Sequence, residues 1–240
     1  DLFVEWLEHS ERYVWVRLEC DDTGALDDVV ARTSSGSFES RQVKFSTAPE
    51  SPDDPWTWEA LTLREPGSKG TLKRSLLMKW ADGYDQTTAQ GSDCHAQIVT
   101  NRLAAPELAA VLSTGHVQLA LVPEPHRAGI ISQLGDEVRA RRFFDAVEFV
   151  LGQPSYEDYE ERLRKRFISL GGLDSGWPEL KDRVRSWVRK RNQPPPDGAI
   201  SLQHVRSAAG WRELQSLDQD FVVPRDYVLP SVRFHDSLLA

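Results

Sequence analysis

The sequence predicts an α/β fold, an α/β N-terminal half followed by a mostly helical C-terminal half, and three observations predict it. From Tyr13 to Phe45, hydrophobicity alternates with period two between tight-turn residues. From His126 onward, apolar residues recur at helical spacing. Gly171-Gly172, Pro194-Pro195-Pro196 and Pro224 punctuate that helical half into separate segments.

Residues 2–8 (LFVEWLE) place Leu2, Phe3, Trp6 and Leu7 at helical spacing. A strand begins at Tyr13, with Val14, Val16 and Leu18 on one face and Tyr13, Trp15, Arg17 and Glu19 on the other. Asp22-Thr23-Gly24 signals a turn, and Leu26 to Thr33 reads as a second strand. Ser34-Ser35-Gly36-Ser37 turns the chain into a third, Phe38 to Phe45, so the three strands form an antiparallel meander. Residues 47–55 are loop, 72–80 helix, 96–100 a buried strand, 106–112 a helix with proline in its first turn, and 117–122 a further strand. Helices are expected over about 127–151, 155–170, 177–191 and 201–217. The division falls after residue 125: a core over 1–125 and a helical subdomain over 126–240.

With 240 residues, 40% hydrophobic and 28% charged, the chain is long enough to bury a substantial core. No apolar run reaches the ~20 residues a membrane helix needs, so no membrane partner is expected. Cys20 and Cys94 lack any zinc-type spacing, and their scarcity fits a reducing cytoplasm. His95 beside Cys94 and Asp93 has no further ligand close by in sequence and reads as a structural or surface histidine. The sequence opens within a helical pattern and its one methionine is Met78, so the chain is expected to be part of a larger protein. A net charge of −8 opposes nonspecific attraction to phosphate, yet Arg139/Arg141/Arg142, Arg162/Arg164/Lys165/Arg166 and Lys181/Arg183/Arg185/Arg189/Lys190/Arg191 cluster as basic groups. Each group taken singly reads as a solvated helix face. No GxSxG, GxxxxGK[ST] or GxGxxG motif occurs, which removes the serine-hydrolase and common nucleotide-binding readings.

Divalent-metal phosphodiester hydrolysis requires carboxylates for the metal and a cation beside the reacting groups. Asp28 stands at the mouth of the apolar run Val29-Val30-Ala31. Gln42 and Lys44 are two apart on the next strand and share a face. Glu19 adds a second carboxylate from the first strand. Singly, each has a plain reading: a solvent-side strand residue, an Asp27-Asp28 turn, an exposed polar pair. Their order, Glu then Asp before a hydrophobic strand then Gln-x-Lys, points to a metal-dependent phosphodiesterase.

The stretch ECDDTGALDDVVARTSSGSFESRQVKFS resembles the core of the PD-(D/E)xK nuclease superfamily, in the variant where glutamine replaces the second acid. More narrowly it is similar to the nuclease effector domains of bacterial antiphage proteins, both cyclic-oligonucleotide-activated CBASS effectors and Avs-type STAND NTPases. Trp56-Thr57-Trp58, SLLMKW at 75–80, IVTNR at 98–102, FFDAVEF at 143–149 and the Trp177 and Trp187 region extend the resemblance over most of the chain. It implies a restriction-endonuclease-like core, a mixed sheet flanked by helices. It further implies a Mg²⁺ (or Mn²⁺) endodeoxyribonuclease acting on double-stranded DNA in antiviral defence, and a homo-oligomer formed through the parent protein. Asp28 would be the principal metal ligand, with Asp27 the alternative, Gln42 and Glu19 further ligands, and Lys44 the catalytic lysine. Glu5, Glu8 or a residue upstream of Asp1 would supply the acid that the leading helix often contributes. The competing readings are an inactive DNA-binding or oligomerisation module and a helical adaptor built on residues 127–220.

Overall fold

The computed structural model describes residues 1–20, 25–26, 28–47, 55–89, 93–191, 193–194 and 197–211. In chain order the elements are α1 (Leu2–Glu8), β1 (Tyr13–Leu18), β2 (Val29–Thr33), β3 (Phe38–Val43), α2 (Trp58–Thr62), α3 (Leu76–Thr88) and β4 (Cys94–Val99). There follow α4 (Pro106–Ala109), β5 (Leu112–Ser113), β6 (His116–Val117), α5 (His126–Leu134), α6 (Glu137–Ala146), β7 (Val147–Val150), α7 (Tyr156–Ser169), α8 (Gly176–Val188) and α9 (Leu202–Ala208). The α/β class holds: five strands form one mixed sheet in the order β1-β2-β3-β4-β7, flanked by helices. The meander β1-β2-β3 is antiparallel, whereas β3, β4 and β7 run parallel.

Strand alternation sends the two faces of the sheet into separate cores. Val30, Phe38, Ala96, Ile98, Val147 and Phe149 pack under α2, α3, α5 and α6, where Trp58, Trp80, Phe143 and Phe144 are almost fully buried. Tyr13, Val16, Leu18 and Ala31 face the other way, against α1 and α7–α9 through Phe3, Trp6, Phe167, Trp177, Trp187 and Val205. A sheet covered on both faces makes three layers. Removing a large buried aromatic from either core costs about 3–5 kcal/mol.

Several local expectations change. In β1 it is Tyr13, not Val14, that is buried with Val16 and Leu18; Val14 is 55% exposed. A bulge between Tyr13 and Trp15 inserts one residue and reverses the alternation ahead of it. The second strand starts at Val29 rather than Leu26, leaving Asp28 just outside the ladder. The helix expected at 72–80 begins at Leu76, because the Ser75 side chain caps it by accepting from Met78 N and Lys73 N pairs with Glu65 O instead. The run at 117–122 contributes only Val117 to the two-residue strand β6 and then forms a 3₁₀ turn at Leu119–Leu121. Helix α6 stops at Ala146, and VEFV, expected as helix, pairs with β4 as β7. The sheet therefore draws its fifth strand from beyond residue 125. No helix among the described residues is long and apolar enough to cross a membrane.

Candidate functional site

The β2–β3 ladder ends where chemistry-bearing side chains begin. Val29 pairs with Arg41, which places Asp28 opposite Gln42 one step further along. Asp28 Oδ2 accepts from Gln42 Nε2 at 2.5 Å and from the backbone N–H of Val43 at 2.6 Å. The carboxylate thus does for the end of the ladder what a backbone carbonyl would do. Gln42 lies on the face of β3 shared with Phe38 and Ser40, only 1% exposed. Lys44, one residue past β3, continues the parallel pairing by donating its N–H to Val99 O at 2.9 Å. Its side chain is exposed.

Asp28, Gln42, Lys44 and Glu19 all line one cleft of about 520 Å³. Glu19 follows β1 with φ at 51°, and its N–H donates to Asp28 O at 3.1 Å. That left-handed turn separates Leu18, in one core, from Cys20, in the other, so Glu19 is carried round the sheet end. Asp27 lies outside the described residues.

The opposite wall is α3, which sequence reasoning missed. Leu76, Lys79, Trp80, Asp82, Gly83 and Gln86 of α3, Arg74 just ahead of it and Ala25 complete the lining. Residues 79, 82, 83 and 86 share one helix face by their spacing, a signal present in the sequence but meaningful only once α3 is known to cover the strand ends. Asp82 accepts from Arg74 and from Arg139, the latter at 2.6 Å.

Neither glutamate of α1 joins the cleft. Arg41 alternates with Gln42 and so projects from the other side of β3, where it meets Glu5 at 3.2 Å; Arg12 also pairs with Glu5. Glu39, Tyr13 and Arg12 extend this group, with Tyr13 Oη donating to Glu39 at 2.8 Å and Arg12 pairing at 2.9 Å. Burial and that carboxylate raise the Tyr13 phenol above its ordinary value. Glu8 is held by Arg166, which keeps its carboxyl below the usual range.

The basic groups are largely ion-paired. Arg139 contacts Asp82 and Asp85 at 2.6 Å each, Arg141 contacts Glu137, and Arg142 contacts Asp85. Arg164, Lys165, Arg166, Lys181 and Arg185 likewise meet acidic partners. His95 is half-exposed on β4, 3.4 Å from Glu148. Burial pushes the Cys94 thiol up to about 12, so it is protonated at neutral pH and offers neither a nucleophile nor a metal ligand.

Among the described residues, no group of three His, Cys, Asp or Glu side chains is placed to hold a metal. The strand side of the cleft offers instead two carboxylates and one amide, Asp28, Glu19 and Gln42, while Asp82 across from them is engaged by Arg74 and Arg139. Hard oxygen donors in that number suit Mg²⁺ or Mn²⁺, which retain several waters, and do not suit zinc. Because Gln42 donates through Nε2, its Oε1 is the atom left to act as a ligand, and Asp28 Oδ1 has no hydrogen bond among the described residues. The described ionisable lining comprises Glu19, Asp28 and Asp82 against Lys44, Arg74 and Lys79, a formal balance of zero.

No protein-family model and no curated protein matches the chain.

Proposed function

We propose that the chain is a metal-dependent endodeoxyribonuclease effector domain that hydrolyses phosphodiesters of double-stranded DNA in antiviral defence. The observation that carries this reading is the shared cleft, in which Gln42 holds Asp28 at 2.5 Å and Lys44 and Glu19 join them. The resemblance of the segment 19–46 to PD-(D/E)xK nucleases supplies the substrate and the defence role. A divalent ion such as Mg²⁺, when bound, would supply Lewis acidity and activate water as the nucleophile. Asp28, Glu19 and Gln42 would hold the ion. The Gln42 and Val43 N–H groups fix Asp28 through Oδ2. Lys44 positions the attacking water and offsets negative charge that develops on the phosphoryl oxygens.

Since the lining is formally neutral, a divalent ion makes it cationic. Supercoiled plasmid is therefore expected to be nicked with Mg²⁺ or Mn²⁺ and left intact in EDTA, and Ca²⁺ is expected to support binding without cutting. Double-strand breaks need two such sites, so linear product is expected to rise more steeply than nicked product with protein concentration. Binding that persists while no metal yields nicks identifies a DNA-binding module and ends the enzyme reading.

The glutamine gives a second test. Gln42→Glu sets a carboxylate against Asp28 in a buried position, which is unfavourable until a cation separates them. The variant is expected to lose about 1–3 kcal/mol without metal. It should then gain more melting temperature from Mg²⁺ than the wild type does. Equal stability of the two proteins without metal, in thermal melts, counts against a shared metal position.

A further inference from the structure

We infer that Lys79 on α3 is a second backbone-phosphate anchor of the cleft, gripping the polynucleotide from the wall opposite Asp28, Gln42 and Lys44. This rests on the phosphodiesterase reading and deepens it, because it names how the substrate is held.

Of the cations on the α3 wall, Arg74 is paired with Asp82, which also binds Arg139. Lys79 is exposed and has no ion pair among the described residues. Lys44, from the β3 side of the cleft, forms none among the described residues either. Two ammonium groups that lie in one cleft and engage in no ion pair among the described residues suit a chain of phosphates better than one terminal phosphate.

Lys79 and Gly83 both line the cleft. Gly83, one turn further along the same helix face, is buried in a helix interior, where glycine costs roughly 0.5–1 kcal/mol relative to alanine.

The lining also limits what is read. The one aromatic among its described residues, Trp80, is 1% exposed, with its ring stacked on Trp56 at a centroid distance of 5.4 Å. No described lining residue presents an aromatic platform for a base. Contacts through Lys79, Lys44 and the Gln86 amide fall on phosphate and sugar, which carry no sequence information.

The test uses the 240-residue chain and fluorescein-labelled 30-base-pair duplexes (about three helical turns) of differing sequence, with Ca²⁺ in place of Mg²⁺. Lys79→Ala is expected to weaken binding about tenfold, or ~1.4 kcal/mol, equally for every sequence. The slope of log affinity against log salt should fall by about 0.9, the value for one lost phosphate contact. In Mg²⁺ kinetics, KM should rise by a larger factor than kcat falls, and Lys79→Arg should recover most of the binding. Lys79→Glu is expected to be weaker still, and thermal melts check that each variant is folded. If the wild type binds and cuts but Lys79→Ala leaves affinity and salt slope unchanged, the Lys79 assignment fails alone. If the wild type neither binds nor cuts with any divalent metal, the phosphodiesterase reading fails with it.

Discussion

Lys44→Ala is expected to reduce metal-dependent plasmid cleavage by about 10²–10³-fold while shifting the melting temperature by no more than about 2 °C. The activity loss follows from placing the only β3-side cation of the described lining beside Asp28 and Gln42. Removing one group that stabilises developing charge typically costs about 2.7–4 kcal/mol of barrier. Stability is spared because the side chain is exposed and forms no ion pair among the described residues; such surface changes stay within about 0.5 kcal/mol. The backbone role of residue 44, pairing with Val99 O and accepting from the Thr100 hydroxyl, survives the substitution. Cleavage at the wild-type rate by a folded Lys44→Ala protein removes the lysine from the chemistry.

Asp28→Ala is expected to abolish cleavage and to destabilise the fold as well, which separates it from the lysine variant. Its Oδ2 satisfies both the Val43 N–H and the Gln42 amide, and Gln42 is 1% exposed. Leaving those donors without an acceptor costs about 1–3 kcal/mol, or roughly 2–12 °C for a chain of this size. Asp28→Asn keeps a carbonyl oxygen for the same donors and should recover most of the stability, yet it remains inactive for want of the charge that holds a cation. Comparing melts and plasmid cleavage for the two variants decides the matter. An active Asp28→Asn protein would detach the metal from residue 28.

The parts of this molecule legible in its sequence are those made by neighbours in the chain. Asp28, Gln42 and Lys44 come together because two strands joined by a four-residue turn must lie side by side, and period two then settles which side chains share a face. Helices α7 and α8 were legible from their spacing, to within about three residues at either end. What was not legible depends on distant packing. β7 repeats the alternation of VEFV, but it becomes a strand only because β4, about 50 residues earlier, is there to pair with it. Lys79 belongs to the cleft only because α3 lies across the ends of β2 and β3. The bulge at Val14 has no strong local signature, and it moved Tyr13 into the core. Glu5 had the right chemistry and helix, but Arg12 and Arg41 hold it behind the sheet.

The bridge between Val16 and Ile200 bears on how the protein is made. Their backbones exchange hydrogen bonds of 2.9 and 2.8 Å across 184 positions of sequence, on the strand that leads to Glu19. At a synthesis rate of about 5–20 residues per second, the two are produced some 10–40 s apart. Until the later one arrives, β1 is an unpaired sheet edge, and the layer formed by α7, α8 and α9 is not there to cover it. The strands bearing Asp28, Gln42 and Lys44 are therefore synthesised before the segment whose pairing braces β1. A nascent chain thus carries the cleft side chains before the layer of α7, α8 and α9 covers the sheet that bears them.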